Sequence, residues 1–227
     1  MPLLSRIYQG GSQDKVSVRD LFGQVSMKNM LFVVDRGFYS EENLCLFTSD
    51  GNSYIIPLAR NLTACKEAVC NLEMSGRFIY QKGRKGSVIE YKEHRHEGRR
   101  ILVYRDLNEA AAEQGNYLRH MSLGEKAYTE ERFKMLKDFM GVIVLQTSLE
   151  NKIPEEIYAL YKKRWQIETF YNYFKNKADY NTLALPDYYK TEGLAFIMLV
   201  SSLIYKEFQE AVSAIKGKSV QDCLLDG

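Results

Sequence analysis

Apolar and polar positions alternate along the first 60 residues in a way that predicts five regular elements. Short runs rich in β-branched and aromatic side chains predict strands, and segments with apolar residues three or four apart predict helices. The predicted strands cover 2–9, 31–34 and 53–59, and the predicted helices cover 12–27 and a segment that begins at 40. Strands that alternate with helices indicate an α/β fold with a partly parallel sheet.

The pattern changes after residue 60 and predicts a β-rich segment with many basic side chains. Short strands separated by glycine-containing turns are expected at 77–80, 87–94 and 99–107, followed by a helix at 124–139. We therefore expect the α/β fold to be interrupted here by an inserted segment.

A buried strand and two helices are predicted after that segment. They cover 141–147, a helix that begins at 154, and 193–215, the last of which is apolar enough to be buried. This organisation predicts three parts. They are 1–60 as the first part of the core, 61–140 as the β-rich basic insertion, and 141–227 as the second part of the core.

The helix that begins at 154 carries a narrow stripe of polar side chains. The stripe consists of Tyr161, Arg164, Glu168 and Lys175. At roughly 100° per residue, these four positions fall in one arc of about 60° beside an apolar stripe. A carboxylate between two cations and a tyrosine can hold a divalent metal and contact phosphates. An ordinary solvent-exposed helix surface with an i,i+4 ion pair between Arg164 and Glu168 explains the same pattern.

Asp35 is a second candidate carboxylate, because it directly follows the apolar strand predicted at 31–34. Ligands bind most often at the carboxyl ends of strands in open α/β sheets. Together with Glu168, Asp35 offers the all-oxygen ligand set that Mg²⁺ or Mn²⁺ prefers, and two such ions often serve phosphoryl transfer on nucleic acids. The alternative is that Asp35 only caps a turn or helix.

Overall composition does not indicate which class of partner the protein binds, but the clustering of its basic residues does give an indication. The 227 residues carry 31 Lys and Arg and 29 Asp and Glu, which gives a net charge of +2. The basic residues form local clusters, and those of the predicted insertion include Lys82, Arg84, Lys85, Arg99 and Arg100. Local clusters suit phosphate binding, although a solvated β-surface is an equal alternative for them.

Cysteine usage and hydropathy predict a reduced, non-membrane setting. The four cysteines form no C-x-x-C pair, so a zinc site or a disulfide framework is not expected. The start of the chain lacks the pattern of a signal peptide, and its longest apolar run is too short for a membrane span.

Two segments resemble the DDE transposases of the bacterial insertion sequence 4 family. The run FVVDRGFYS at 32–40 resembles the region of that family's second catalytic aspartate. The spacing Tyr161-x2-Arg164-x3-Glu168-x6-Lys175 matches the family's Tyr-Arg-Glu-Lys motif. The opening PLLSRIYQGGSQD resembles its third strand and following turn, so the resemblance covers nearly the whole chain.

The resemblance implies a fold, a chemistry and a set of site residues. The fold is an RNase H-like mixed sheet with flanking helices, and the chemistry is metal-dependent DNA strand cleavage and strand transfer at transposon ends. Asp35 and Glu168 would be catalytic metal ligands for Mg²⁺ or Mn²⁺, in a two-ion site in the complete enzyme. Tyr161, Arg164 and Lys175 would contact DNA phosphates. The expected setting is the bacterial cytoplasm at the nucleoid, with a possible homodimer.

The family pattern also includes a first aspartate on an earlier strand, which this sequence does not show. We therefore expect an N-terminally truncated core that lacks the first strands of the sheet and is catalytically incomplete alone. A non-catalytic DNA-binding protein derived from a transposase is the alternative. A simple α/β interaction module with no role on nucleic acids is a third possibility.

Overall fold

The computed structural model describes residues 14–70, 73–82 and 85–165, together with helical positions scattered between 189 and 211. The chain divides into two compact units, one formed by Gln13–Arg164 and one by Met1–Ser12 with Trp165–Gly227. The first unit contains every strand of the described residues.

A six-stranded sheet forms the centre of the Gln13–Arg164 unit. Its strands are β1 (Leu31–Val33), β2 (Ser53–Pro57), β3 (Gly76–Lys82), β4 (Lys85–His96), β5 (Arg99–Asp106) and β6 (Val142–Thr147). The spatial order is β1-β2-β6-β5-β4-β3. β1 and β2 are parallel, and the other neighbouring strands are antiparallel. The carboxyl ends of β1 and β2 therefore open at the same edge of the sheet.

Six α-helices accompany the sheet among the residues of this unit that the structure describes. They are α1 (Asp14–Gln24), α2 (Glu41–Leu46), α3 (Thr63–Val69), α4 (Leu107–Ser122), α5 (Glu130–Leu136) and α6 (Pro154–Lys162). Local sequence explains several of their starts. The side chains of Ser40, Asp106 and Thr129 accept backbone N–H bonds at the starts of α2, α4 and α5. Pro154 occupies the first turn of α6, where its missing N–H costs nothing.

Strand β5 is covered on both faces, because its alternate side chains enter two different cores. Leu102 and Tyr104 pack in a cluster with Ile157, Tyr158 and Tyr161 of α6. On the opposite face, Ile101 and Val103 pack in a second cluster with Ala64, Cys65 and Ala68 of α3. Successive side chains of a strand point to opposite faces, so a continuous apolar run is what a strand between two helical layers needs.

The side chains of strand β2 also enter two clusters, the cluster that contains α6 residues and a third one. Ile55 packs with the α6 residues, whereas Tyr54 and Ile56 pack with Val18 of α1 and Leu44 of α2. Helices thus cover both faces of the sheet around its middle strands.

The fold confirms a mixed α/β architecture and corrects several predicted elements. The strands at 31–34, 53–59, 77–80, 87–94, 99–107 and 141–147 are all present with small changes of boundary. The sequence did not predict α4, since its alanine-rich segment has few large apolar residues and Asp106 was assigned to a strand. The helix predicted at 124–139 is reduced to α5 and a 3-10 turn at Lys137–Phe139. The strand predicted at 2–9 lies outside the described residues.

The predicted insertion 61–140 does not form a separate sheet. Its strands β3, β4 and β5 continue the sheet that contains β1, β2 and β6, through the antiparallel pairing of β5 with β6.

The last predicted helix belongs to the second unit, and its expected burial was wrong for the side chains that the structure describes. The described positions between 189 and 211 are helical. Phe196, Ile197, Ile204 and Phe208 are each more than half exposed. High hydropathy along a helix favours burial but does not determine which surface provides it.

Gly141 directly precedes β6, and its backbone lies very close to the backbone at the start of α4. Its φ is +66°, a conformation that favours glycine. A Cβ at this position would lie 2.5 Å from the backbone N of Ala110 and 2.6 Å from the carbonyl O of Asp106. The carbonyl of Gly141 also accepts a hydrogen bond from the N–H of Asp106, at 2.9 Å.

Substitution of this glycine is expected to destabilise the fold far more than substitution of a glycine with similar φ in open space. Gly124 has a φ of +73°, and no atom beyond its own chain neighbours lies within 4 Å of its hypothetical Cβ. Gly124→Ala should lower the free energy of unfolding by about 1 kcal/mol, and Gly141→Ala by about 3 kcal/mol. Urea denaturation of both variants measures the difference, and equal losses would show that the close approach at Gly141 is not a constraint.

Candidate active site

Asp35 lies just beyond the carboxyl end of β1, as predicted. One oxygen, Oδ1, accepts a hydrogen bond of 2.7 Å from the N–H of Arg36, so Asp35 caps the 3-10 helix Arg36–Phe38. The side chain is nevertheless 53% exposed. The two interpretations of Asp35 are therefore compatible, because one oxygen caps the turn while the carboxylate remains accessible.

Arg164 lies beside this carboxylate, although 128 positions separate the two residues in the sequence. Its Nη1 is 3.5 Å from Oδ2 of Asp35, and its side chain is 22% exposed. The strand-end aspartate and one residue of the predicted polar stripe, Arg164, therefore meet at one place in the first unit.

Tyr161 occupies the last turn of α6 and belongs to both the core and the site. It is only 8% exposed, and its ring packs with the cluster that contains Tyr158 and Leu145. The guanidinium of Arg164 lies over this ring, 5.7 Å from its centroid. This cation–π contact and the ion pair with Asp35 together orient the Arg164 side chain.

Helix α6 ends at Lys162, earlier than the sequence predicted. Lys163 is its C-cap, and Arg164 donates its backbone N–H to the carbonyl of Tyr161 at 3.0 Å. The positions 166–188 lie outside the described residues. The predicted roles of Glu168 and Lys175 therefore remain predictions.

A cavity of about 320 Å³ opens beside Asp35. It is lined by side chains from several elements, namely Asp35, Arg36, Pro57, Leu58, Arg60, Cys65, Phe139, Val142, Ile143, Val144 and Tyr161. Asp35 is the one carboxylate among these residues, whereas Arg36 and Arg60 contribute two guanidinium groups. Burial raises the pKa of the Cys65 thiol, so this side chain adds no negative charge at neutral pH.

Sequence reasoning missed Arg36, Arg60 and the apolar wall of this cavity. One signal for the arginines was available. Both follow strands whose carboxyl ends open at the same edge when the strands are parallel, as β1 and β2 are. Phe139 gives no such signal, because it reaches the cavity from the segment between α5 and β6.

Of the basic residues predicted to contact DNA in the insertion, Arg100 is unsuited to that role. Its side chain is only 6% exposed. Nε and Nη2 donate to the carboxylate of Glu93 at 3.0 and 2.8 Å, and Nη1 donates to the carbonyls of Leu149 and Lys152 at 2.6 and 2.8 Å. We call this arrangement the Arg100 clamp. It fixes the connection between β6 and α6, so the prediction of a DNA contact at Arg100 conflicts with the structure.

Arg99 is more accessible but is also engaged within the protein. Its Nη1 donates to Glu41 at 2.9 Å, and its Nη2 pairs with the other carboxylate oxygen at 2.5 Å. The side chain is 35% exposed. The side chains of Lys82, Arg84 and Lys85 lie outside the described residues, so their DNA contacts remain predictions.

Loss of the Arg100 clamp is expected to destabilise the fold strongly. Arg100→Ala removes a nearly buried guanidinium together with its bonds to Glu93 and to the carbonyls of Leu149 and Lys152, and it should lower the free energy of unfolding by about 3 kcal/mol. Arg95 is the matched control, because it pairs with Glu150 while both side chains are 52% exposed. Arg95→Ala should change the stability by less than about 1 kcal/mol. Chemical denaturation distinguishes the two, and similar losses would contradict a structural role specific to Arg100.

The Arg99–Glu41 pair predicts a pH dependence of stability. Hydrogen bonding from Arg99 is the main cause that lowers the pKa of Glu41. A carboxyl whose pKa is lower in the folded state contributes stability above its unfolded pKa, and this contribution is lost as the pH falls through the folded pKa. The melting temperature of Arg99→Gln should therefore lie below that of the wild type at pH 7. The gap should narrow as the pH falls from neutrality through and below the ordinary titration range of a glutamate, and a gap that stays constant would contradict this assignment.

Neither a metal cluster nor a membrane span is evident in the part of the chain that the structure describes. Within those residues, no three His, Cys, Asp or Glu side chains lie close enough together to hold a metal ion. Their helices are likewise too short or too polar to cross a bilayer.

Comparison with known families identifies the class of domain to which this site belongs. The family model described as "Transposase DDE domain" matches residues 2–204. No curated protein matches the chain.

Proposed function

Because the chain belongs to the transposase DDE domain family, we propose that it is part of a catalytic domain that cleaves and transfers DNA strands at transposon ends. The observation that carries this proposal is the contact between Asp35 and Arg164, with Tyr161 in the same cavity wall. An RNase H-like core of the insertion sequence 4 type is the finer assignment that we propose. It is supported by the strand-end position of Asp35 and by the spacing of the polar stripe.

DDE transposases generally use divalent metal ions, and the residues at this site fit part of such a requirement. Asp35 provides an accessible carboxylate, the kind of ligand that Mg²⁺ and Mn²⁺ prefer. Glu168 would complete the ligand set together with Asp35. A bound cation would supply a Lewis acid for phosphodiester cleavage.

Arg164 has two roles in the proposed site. Its ion pair with Asp35 offsets the carboxylate charge. Its guanidinium is also suited to a phosphate oxygen, because the planar fork of N–H donors matches that group. The ring of Tyr161 contacts the guanidinium of Arg164 through a cation–π interaction. Lys175 would add a further cation. Contacts of this kind position DNA without reading its sequence.

The metal role of the two carboxylates can be tested through DNA binding. We expect Mn²⁺ to increase the affinity of the wild-type protein for duplex DNA, because the cation offsets the carboxylate charge next to the phosphates. Asp35→Asn and Glu168→Gln should abolish that increase while leaving metal-free binding equal or slightly stronger. Fluorescence anisotropy with and without Mn²⁺ measures both quantities.

Asp50→Asn is the matched control for this experiment. Asp50 is an exposed aspartate in a turn with φ of +52°, a conformation that Asn tolerates well. It should retain the full response to Mn²⁺. If Asp35→Asn and Glu168→Gln also retain it, the metal-ligand assignment is wrong, and a DNA-binding protein without catalytic metal becomes the better description. Absence of any salt-sensitive DNA binding would contradict both.

A further inference from the structure

Two arginines line the cavity next to Asp35 without belonging to the polar stripe of α6. Arg36 follows Asp35 directly, and Arg60 follows β2, the parallel neighbour of β1. The stripe residue Arg164 already pairs with Asp35. The charge of that carboxylate is therefore balanced before Arg36 and Arg60 are counted, and these two arginines make the cavity positive.

The side chain of Arg60 is held in place by Phe139, another residue of the cavity lining. Its Nη2 donates to the carbonyl of Phe139 at 3.0 Å, and its guanidinium lies over the Phe139 ring, 5.8 Å from the centroid. The hydrogen bond to Phe139 uses one of the five N–H donors of a guanidinium. Arg60 is exposed, so other donors remain accessible to a ligand, and the orientation costs little further entropy on binding.

Apolar side chains form another part of the cavity lining. Leu58, Val144 and Phe139 line the cavity, and their side chains have no hydrogen-bonding group that would compete with a ligand for the guanidinium donors. A guanidinium prefers oxyanions that accept two parallel N–H bonds, and phosphate is such a group.

We propose that Arg36 and Arg60 bind a phosphodiester group of DNA in this cavity, next to Asp35. This inference rests on the proposed function, and it adds two phosphate-binding residues from the edge of the sheet to those of the helix. The arginines act as a fixed positive surface that positions the DNA strand beside the carboxylate.

The number of phosphate contacts can be measured from the salt dependence of DNA binding. Each neutralised phosphate contributes about 0.9 to the slope of log affinity against log salt concentration. With duplex DNA and EDTA, Arg60→Gln and Arg36→Gln should each reduce that slope by about 0.9, and the double variant by about 1.8. Arg60→Lys keeps the charge and should keep the slope, while the lost fork lowers the affinity.

Arg95→Gln is the control, since Arg95 is an equally basic side chain of β4 that is absent from the cavity lining and pairs with Glu150. Its slope should equal that of the wild type. The inference is overturned if the slopes of Arg60→Gln and Arg36→Gln also equal the wild-type slope, in which case the proposed function still stands. If the wild-type protein itself shows no salt-dependent binding, the proposed function fails, and the inference fails with it. Circular dichroism of each variant excludes misfolding as the cause of a changed slope.

Discussion

The Arg100 clamp is the constraint on which the position of the site depends. The buried side chain of Arg100, a residue of β5, donates hydrogen bonds both to Glu93 and to carbonyls of the connection before α6. Four residues further along β5, the hydroxyl of Tyr104 donates to the carbonyl of Pro154 at 2.7 Å. The start of α6 is thus tied to the middle of the sheet, and the direction of α6 determines where Tyr161 and Arg164 lie.

This arrangement explains why a basic residue of the β-rich segment can serve the site without contacting DNA. A buried guanidinium with all its bonds inside the protein cannot also neutralise a phosphate, whatever the local density of basic residues suggests. Its contribution is positional, because β5 pairs with β6 and packs under α6 at the same time. The β-rich segment is therefore part of the support for the candidate active site rather than an appendage beside it.

Sequence predicted those features that depend on neighbours along the chain. The strand before Asp35 and the proline at the start of α6 are local signals, and both were located correctly. The burial and hydrogen bonding of the Arg100 side chain depend on Glu93 and on residues 149–152. Strand pairing brings these residues to Arg100 from distant positions in the sequence. Helix α4 was missed because its face has small residues, so periodicity gave little contrast. Arg60 reaches the cavity because β2 lies parallel to β1; the alternation of strands and helices predicted parallel pairing but not which two strands are neighbours.

Charge balance connects the fold with the chemistry of the cavity. A carboxylate at a strand end would repel the phosphate that it must approach, unless cations offset its charge. Arg164 provides the first offset at 3.5 Å from Asp35, and Arg36 and Arg60 add two further positive charges to the cavity that Asp35 lines. In the function proposed above, this excess of cations would let a phosphodiester approach Asp35, one oxygen of which accepts from the Arg36 N–H while the other pairs with Arg164. A parallel pair of strands is what makes this possible, because it delivers the aspartate and both sheet-edge arginines to one edge.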